Sequence, residues 1–237
     1  MTGKFYGVGV GPGDPELLTI KAVKILKKAD IVVSPITKNN KKSVAFEIAK
    51  NYLSEDIEFL NLLFPMTYNQ DELDKKWFEN AQIISKEVDD GNNVVFLTLG
   101  DPMLYSTYMY LLPHLYKLNI KAETICGVNS FSMLAARTNI PLVAGDEKLA
   151  IVPLRRNCED LDDILDKFDN IIVMKPSHDN KLLAQKLEER GLTKNFLLIS
   201  KCGMDEENIS YDIEDLKKDD LPYLSTVIIK KRGILHE

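Results

Sequence analysis

Apolar and polar positions alternate in blocks along the first half of the chain, and each block has the spacing of one secondary-structure element. Short apolar runs flanked by turn residues, which are typical of buried strands, lie at residues 4–10, 30–35, 57–63 and 94–99. Apolar residues recur at helical spacing at residues 17–29, 43–53, 71–88 and 105–118. This alternation predicts an α/β fold with a mainly parallel sheet.

The same pattern restarts after Asn119. Strand-like runs follow at residues 122–125, 148–152, 171–174, 196–200 and 223–231. Helical spacing begins within residues 126–131 and continues up to Arg137, and it recurs at residues 161–168 and 179–190. We therefore predict two α/β domains, residues 1–117 and 118–237.

The apolar run at residues 94–99 ends at three residues that interrupt a strand for different reasons. Gly100 can adopt a positive φ or let another backbone come close, and Pro102 cannot donate to a sheet ladder. Between them, Asp101 presents a carboxylate at the carboxyl end of a central strand, where open α/β sheets bind ligands. The simpler alternative is that Asp101 caps the next helix.

A glycine-rich turn also follows the predicted strand at residues 4–10. The spacing of its glycines argues against two common types of nucleotide-binding site. Glycines at positions 7, 9, 11 and 13, with Pro12 inside the turn, do not form the G-x-G-x-x-G fingerprint, and the second strand does not end in an acidic residue. The G-x-x-x-x-G-K-[ST] phosphate loop does not occur either. The two strand ends indicate a ligand without phosphates, held by backbone groups and one carboxylate.

Composition limits the partners and the location. The 237 residues are 45% hydrophobic and 28% charged, and the net charge of -6 argues against a general affinity for nucleic acid or anionic membranes. Cys126, Cys158 and Cys202 are odd in number and far apart, which indicates reduced thiols, and the Cys and His spacings do not suggest a metal site. Neither a signal peptide nor a membrane-spanning run is visible in the sequence. We expect a cytoplasmic protein without a resident metal.

Two motifs together resemble a known family, the tetrapyrrole (corrin/porphyrin) methylases, which are class III S-adenosylmethionine-dependent methyltransferases. The motifs are VGVGPGDPELLT at residues 8–19 and LGDP at residues 99–102. Weaker matches extend over most of the chain: GVNS at 127–130, IVM at 172–174, KCG at 201–203 and PYLSTVI at 222–228. Within the family, residues 100–108 and 140–147 look most like the enzymes that methylate C20 of precorrin-2 or cobalt-factor II in cobalamin biosynthesis.

The resemblance implies a homodimer, in which each chain has two α/β domains and binds S-adenosylmethionine in the cleft between them. Carried over position by position, it implies that the loops of the first domain contact the cofactor through Pro12, Leu99, Gly100, Asp101, Met103 and Leu104. It implies that the remaining contacts are made by Asn129, Ser130, Met174, Gly203 and Thr226.

The substrate implied by the resemblance is a tetrapyrrole with several carboxylates, whereas this chain is acidic, so binding requires local basic residues. Arg155 and Arg156, just after the predicted strand at residues 148–152, are the best pair because guanidinium groups match carboxylates. A polar loop of the first domain could add charge through Lys38, Lys41 and Lys42.

Two tyrosines near the LGDP motif, Tyr105 and Tyr108, are candidates for contact with the substrate. Each could instead be a core residue with a satisfied hydroxyl. Either tyrosine or a carboxylate could also be the general base, and the sequence does not choose among them.

The same fold can serve other methyl acceptors. Another position of the corrin ring, diphthamide and ribosomal RNA stay open as alternatives, although the acidic charge and the lack of a basic tail disfavour RNA. A non-catalytic protein that binds a corrinoid or S-adenosylmethionine is an alternative of a different class.

Overall fold

The computed structural model describes residues 2–36, 43–65, 69–156 and 158–234. The chain forms two compact units, Met1–Asn129 and Ser130–Glu237. The predicted loop with Lys38, Lys41 and Lys42 lies outside the described residues.

The first unit is built on a parallel five-stranded sheet with the strand order β3-β2-β4-β1-β5. Its strands are β1 (Lys4–Gly9), β2 (Ile31–Ile36), β3 (Glu58–Leu63), β4 (Asn93–Thr98) and β5 (Ala122–Ile125). The predicted boundary at residues 117/118 precedes β5, which pairs with β1 in this sheet and so extends the first unit to Asn129.

The helices of the first unit cover both faces of its sheet. They are α1 (Ile20–Leu26), α2 (Val44–Ala49), α3 (Gln70–Asp89) and α4 (Tyr108–Lys117), with short 3-10 turns at Pro15–Leu17 and Lys50–Tyr52. Alternate strand residues supply the two cores: Phe5 and Phe96 pack with α3 and α4, whereas Val8 packs with α1 and α2 on the other face. Burial on both faces explains why these strands are continuous apolar runs.

Side-chain caps fix where the first helices begin. Asp14 and Thr19 each cap one of these elements. Asp14 Oδ1 accepts a hydrogen bond from Glu16 N–H at 2.9 Å and caps the 3-10 turn, while Thr19 Oγ1 accepts one from Ala22 N–H at 3.1 Å and caps α1. Two capped elements, the 3-10 turn and then α1, therefore follow the glycine-rich loop after β1.

The second unit contains a mixed five-stranded sheet with the order β6-β7-β10-β8-β9. Its elements are α5 (Ser130–Thr138), β6 (Leu149–Pro153), α6 (Leu161–Lys167), β7 (Asn170–Met174), α7 (Asn180–Glu189), β8 (Phe196–Ser200), β9 (Asn208–Ser210), α8 (Ile213–Leu216) and β10 (Ser225–Lys230), with a 3-10 turn at Pro176–His178. The α/β class is confirmed. The expectation of a mainly parallel sheet holds for the first unit, but in the second unit β10 runs antiparallel to both β7 and β8.

A buried polar network ties the loop between α5 and β6 to this second sheet. Lys230 is 2% exposed, and its ammonium donates to Pro141 O at 2.8 Å and to Asn170 Oδ1 at 2.9 Å. Asn170 Nδ2 in turn donates to Glu147 Oε2 at 2.9 Å, and the same oxygen accepts from Ala144 N–H at 3.1 Å. Burial lowers the pKa of Lys230, since water would solvate its charge better. Over the described ranges, no helix has both the length and the apolar character needed to cross a membrane.

Candidate functional site

The carboxyl ends of β1 and β4, neighbours in the first sheet, are joined beyond their last residues by two glycines. Gly100 N–H donates to Gly11 O at 2.8 Å, and Gly11 N–H donates to Gly100 O at 3.4 Å. Both residues have a positive φ, +79° at Gly11 and +71° at Gly100, a conformation that glycine adopts without steric cost. The two motifs found far apart in the sequence thus meet in one backbone bridge.

A third strand end packs against this bridge. A Cβ atom added to Gly127, just after β5, would lie 2.1 Å from Gly100 O, and one added to Gly9 would lie 2.6 Å from Gly127 N. Backbone packing therefore requires glycine at both positions. Gly100 differs, because the nearest atom to an added Cβ would be Val128 O at 4.0 Å. Space remains beside Gly100, as a cofactor lying against this backbone would need.

Asp101 holds the loop after β4 with both of its carboxylate oxygens. Oδ1 accepts a hydrogen bond from Met103 N–H at 2.8 Å, and Oδ2 accepts one from Gly127 N–H at 2.9 Å. The alternative role as cap of the next helix is not observed, since α4 begins only at Tyr108. The carboxylate shapes the strand-end loop itself.

The loop that follows Asp101 exposes large apolar side chains. Met103 is 54% exposed and Tyr105 is 39% exposed, whereas Leu99 and Leu104 are half-buried and Pro12 is buried. Tyr105 also has a φ of +50°, which is rare for a bulky residue and costs conformational energy. Such strain is concentrated at functional sites, so this loop has the character of a ligand-binding surface.

Tyr108 is placed in the core, against the expectation that it could contact a substrate. Its side chain is fully buried, and its hydroxyl lies 2.7 Å from Thr124 Oγ1. The ring occupies the space that a side chain at position 7 would fill, since a Cβ added to Gly7 would lie 2.2 Å from it. Burial raises the pKa of Tyr108. The structure therefore assigns Tyr108 to the packing of α4 on β1 and leaves Tyr105 as the exposed tyrosine of this loop.

One buried polar group at the end of β4 has no hydrogen-bond partner among the described residues. Thr98 is 8% exposed, and its Oγ1 bonds to none of them. By strand alternation its side chain lies on the same sheet face as Phe96, one position before Leu99. Buried hydroxyl groups nearly always have a partner, so this one is available to a ligand or to water.

In the second unit, three of the predicted cofactor contacts lie together. Thr226 pairs with Met174 across β10 and β7, and Ser130 Oγ lies 3.3 Å from Thr226 Oγ1. Asn129, which precedes Ser130, is half-buried at the end of the first unit.

Gly203, the fourth predicted contact in this unit, lies in the turn after β8 with a φ of +77°. Its N–H donates to Glu207 Oε2 at 2.7 Å, and Glu207 Oε1 accepts from Arg137 Nε on α5 at 2.9 Å. Although burial opposes it, the Gly203 N–H and the Arg137 guanidinium keep the pKa of Glu207 below its ordinary value. Burial raises the pKa of the neighbouring Cys202 thiol to about 11, so this thiol is protonated at neutral pH.

The predicted arginine pair follows β6 at the same edge of the second sheet. Arg155 and Arg156 are both exposed. Leu154 N–H donates to Met174 O at 2.8 Å, which keeps the chain after β6 beside the end of β7. Lys175, which follows Met174, is therefore level with Leu154, one residue before Arg155.

Some residues of these strand ends were not selected from the sequence. Thr98 and Gly127 could have been found from the matched motifs, because Thr98 directly precedes LGDP and Gly127 opens GVNS. Glu207 lies in none of these motifs and is one of several acidic residues in a turn.

Comparison with known proteins adds the family to this geometry. Residues 4–216 match the family model described as Tetrapyrrole (Corrin/Porphyrin) Methylases. A protein of Methanocaldococcus jannaschii named probable cobalt-precorrin-2 C(20)-methyltransferase is 40% identical over 233 residues, which cover 96% of each chain. The cobalt-precorrin-2 C(20)-methyltransferase of Salmonella typhimurium is 32% identical over 233 residues, covering 98% of each chain.

A solved structure shares the fold at low sequence identity. Uroporphyrin-III C-methyltransferase of Thermus thermophilus, in complex with S-adenosylhomocysteine, superposes with a TM-score of 0.68 at 21% identity, covering 97% of this chain and 98% of that one.

Proposed function

Because this chain belongs to the tetrapyrrole methylase family, we propose that it transfers a methyl group from S-adenosylmethionine to C20 of precorrin-2 or its cobalt form in cobalamin biosynthesis. One observation carries the proposal. The relatives that are 40% and 32% identical, and that are named for this activity, match this chain over at least 96% of both lengths. The match therefore includes residues 140–147 as well as the strand-end loops.

The proposed cofactor contacts of the first unit lie on or beside the glycine bridge. They are Pro12, Leu99, Gly100, Asp101, Met103, Leu104 and Asn129. The open space beside Gly100 fits a cofactor lying on this backbone, as does the Thr98 hydroxyl, which has no partner among the described residues. In the second unit the proposed contacts are Ser130, Met174, Gly203 and Thr226, of which Ser130, Met174 and Thr226 lie together at the start of β10.

When bound, S-adenosylmethionine supplies a methyl group on a positively charged sulfur, which is a good leaving group. The task of the protein is then to hold the acceptor carbon in line, and orientation of this kind is worth up to about 7–11 kcal/mol in well-placed systems. The bridge between Gly11 and Gly100 and the two hydrogen bonds of Asp101 fix the backbone of this loop, which supports that role. Both oxygens of Asp101 accept backbone N–H groups, so besides its proposed cofactor contact this side chain holds the loop.

The tetrapyrrole contacts that we propose are made by exposed groups. Tyr105 offers an aromatic surface on the loop after Asp101, whereas the buried Tyr108 is not included. Arg155 and Arg156 offer guanidinium groups to the substrate carboxylates, which they can bind in bidentate fashion.

The preferred acceptor that we propose is the cobalt-containing form. Support comes from the two relatives described above, both of which are named for cobalt-precorrin-2. In parallel assays the expected result is a higher kcat/KM with the cobalt form than with metal-free precorrin-2. An equal or lower value would overturn this choice and leave the methylation proposal in place.

The reaction can be tested by incubating the protein with isotope-labelled S-adenosylmethionine and either tetrapyrrole. The expected product carries one additional methyl group by mass spectrometry and a labelled signal at the C20 meso carbon by carbon NMR. A signal at a pyrrole-ring carbon would contradict the position of methylation. The absence of transfer to any tetrapyrrole would contradict the function as a whole.

We also propose that the protein is a cytoplasmic homodimer. The dimer is supported by the family resemblance, and the location by three cysteines that are not paired with one another. Light scattering at low micromolar concentration should give about twice the chain mass of 26.9 kDa. A single chain mass would contradict the dimer.

A further inference from the structure

Lys175 has a backbone conformation that its residue type does not favour. It directly follows β7 with a φ of +54° and a ψ of +45°, and Pro176 comes next and opens the 3-10 turn. A left-handed conformation is uncommon for a side chain with a Cβ, and a following proline restricts the residue before it further. Glycine would adopt this conformation more easily, so the turn alone does not account for a lysine.

The strand end beside it carries a second cation. Pro153 pairs with Met174 in the parallel β6–β7 ladder, and Leu154 N–H donates to Met174 O at 2.8 Å. Leu154 and Lys175 directly follow the paired residues Pro153 and Met174, and Arg155 is one residue further along. Since adjacent strands are about 4.8 Å apart, the two cationic residues follow neighbouring strand ends at this edge of the sheet.

Over the described ranges, neither Arg155 nor Lys175 forms an ion pair with a carboxylate. After β8, which β10 separates from β7 in the sheet, Lys201 does have an acidic partner, because it pairs with Glu206. Adjacent unpaired cations repel each other, and an anion held by both would remove that repulsion.

We propose that Lys175, together with Arg155, binds a side-chain carboxylate of the tetrapyrrole. The inference rests on the proposed function, which supplies a substrate with several carboxylates. Arg155 offers a planar fork of donors and Lys175 a compact charge, so the two can hold different oxygens of one carboxylate. The strained backbone at Lys175 is retained because a lysine at this strand end is needed for binding.

The test compares two substitutions with a matched control. Lys175→Gln removes the charge and keeps a residue with a Cβ, whereas Lys175→Gly removes the charge and relieves the backbone strain. Lys194→Gln removes the same charge from an exposed position that precedes β8, away from this edge. The dissociation constant for the tetrapyrrole is measured by calorimetry at low and high salt, and KM and kcat are measured where turnover occurs.

We expect both Lys175 variants to bind the tetrapyrrole about tenfold more weakly at low salt, as for the loss of one charge-assisted hydrogen bond. The difference from wild type should shrink at high salt, and the affinity for S-adenosylmethionine and the Lys194→Gln variant should match wild type. Lys175→Gly should in addition raise the Tm by roughly 2–4 °C, because the strain is relieved. A gain in stability together with a loss of substrate affinity is not expected from a purely structural residue.

Unchanged tetrapyrrole affinity in Lys175→Gln would overturn the inference, as would an equal loss in Lys194→Gln. If wild type binds the tetrapyrrole but transfers no methyl group, the proposed function fails while the binding comparison still decides the role of Lys175. If wild type binds no tetrapyrrole at all, both are overturned.

Discussion

The Asp101 carboxylate accepts a hydrogen bond from Gly127 N–H at 2.9 Å. The two residues follow β4 and β5, and β1 lies between these strands in the sheet. The bond therefore spans the end of β1 and joins the three strands whose carboxyl ends form the candidate site. The other oxygen of the Asp101 carboxylate accepts a hydrogen bond from Met103 N–H, so this one side chain holds both ends of the contact in place.

Replacement of Asp101 should weaken both the fold and the cofactor site. We expect Asp101→Ala to lower the free energy of unfolding by about 2–3 kcal/mol, because Gly127 and Met103 lose a charged acceptor. Asp101→Asn should lose less, since one amide oxygen can still accept. Cofactor affinity should fall roughly tenfold in Asp101→Ala as the loop is released. Urea unfolding and calorimetry on the same sample measure both effects, and unchanged affinity in the folded variant would show that the loop does not depend on Asp101.

A single methyl group at position 127 should disrupt the three strand ends. Gly127→Ala places a Cβ 2.1 Å from Gly100 O, a backbone atom that cannot move without opening the bridge. We expect a loss of roughly 3 kcal/mol in unfolding free energy. Gly191→Ala is the control, because its added Cβ would meet no atom within 4 Å and its positive φ alone should cost about 1 kcal/mol. Equal losses in the two variants would contradict the packing argument.

Thr98→Val should stabilise the ligand-free protein and weaken ligand binding. Valine has nearly the shape of threonine and removes the unpartnered hydroxyl, so unfolding free energy should rise by about 1 kcal/mol. If Oγ1 bonds to the cofactor or the tetrapyrrole, the affinity for that ligand should fall several-fold, and Thr98→Ser should restore it. Thermal melting with and without each ligand measures both quantities. Unchanged affinity for both ligands would assign the hydroxyl to water.

Glu147 should contribute to stability in a pH-dependent way. Hydrogen bonds from Asn170 and from Ala144 N–H lower its pKa below the ordinary value of 4.5. A lowered carboxyl pKa gives stability that is fully present above the unfolded value and is lost as pH falls through the folded value. Glu147→Gln should therefore be less stable than wild type at pH 7, and the difference should shrink below about pH 4.5. Urea midpoints at a series of pH values test this, and a constant difference would refute it.

The sequence predicted the parts of the fold that depend on local signals. The end of β4 at Thr98, for example, follows from an apolar run that stops at glycine and proline. It did not predict that β10 is antiparallel, because an apolar run has the same pattern in either direction. β9 and α8 were missed because three and four residues are too short to show a period.

The candidate site was less predictable where it depends on tertiary neighbours. Tyr108 follows the same loop as Tyr105, and only the packing against Gly7 shows that one tyrosine is buried and the other exposed. The left-handed backbone at Lys175 arises only in the folded chain, and so does the burial of Thr98 without a partner in the described ranges. Asp101 was identified from its position, although the sequence could not show that its two acceptors are occupied by backbone groups.

The close contact of Gly9, Gly100 and Gly127 has a consequence for the evolvability of this scaffold. At Gly9 and Gly127 no side chain can be added, so variants with substitutions at these two positions lose the fold and are removed by selection. Met103 and Tyr105 stand on the same loop but project into solvent, and most replacements there leave the backbone frame intact. Divergence toward new substrates can thus proceed by single surface substitutions, without any intermediate that fails to fold.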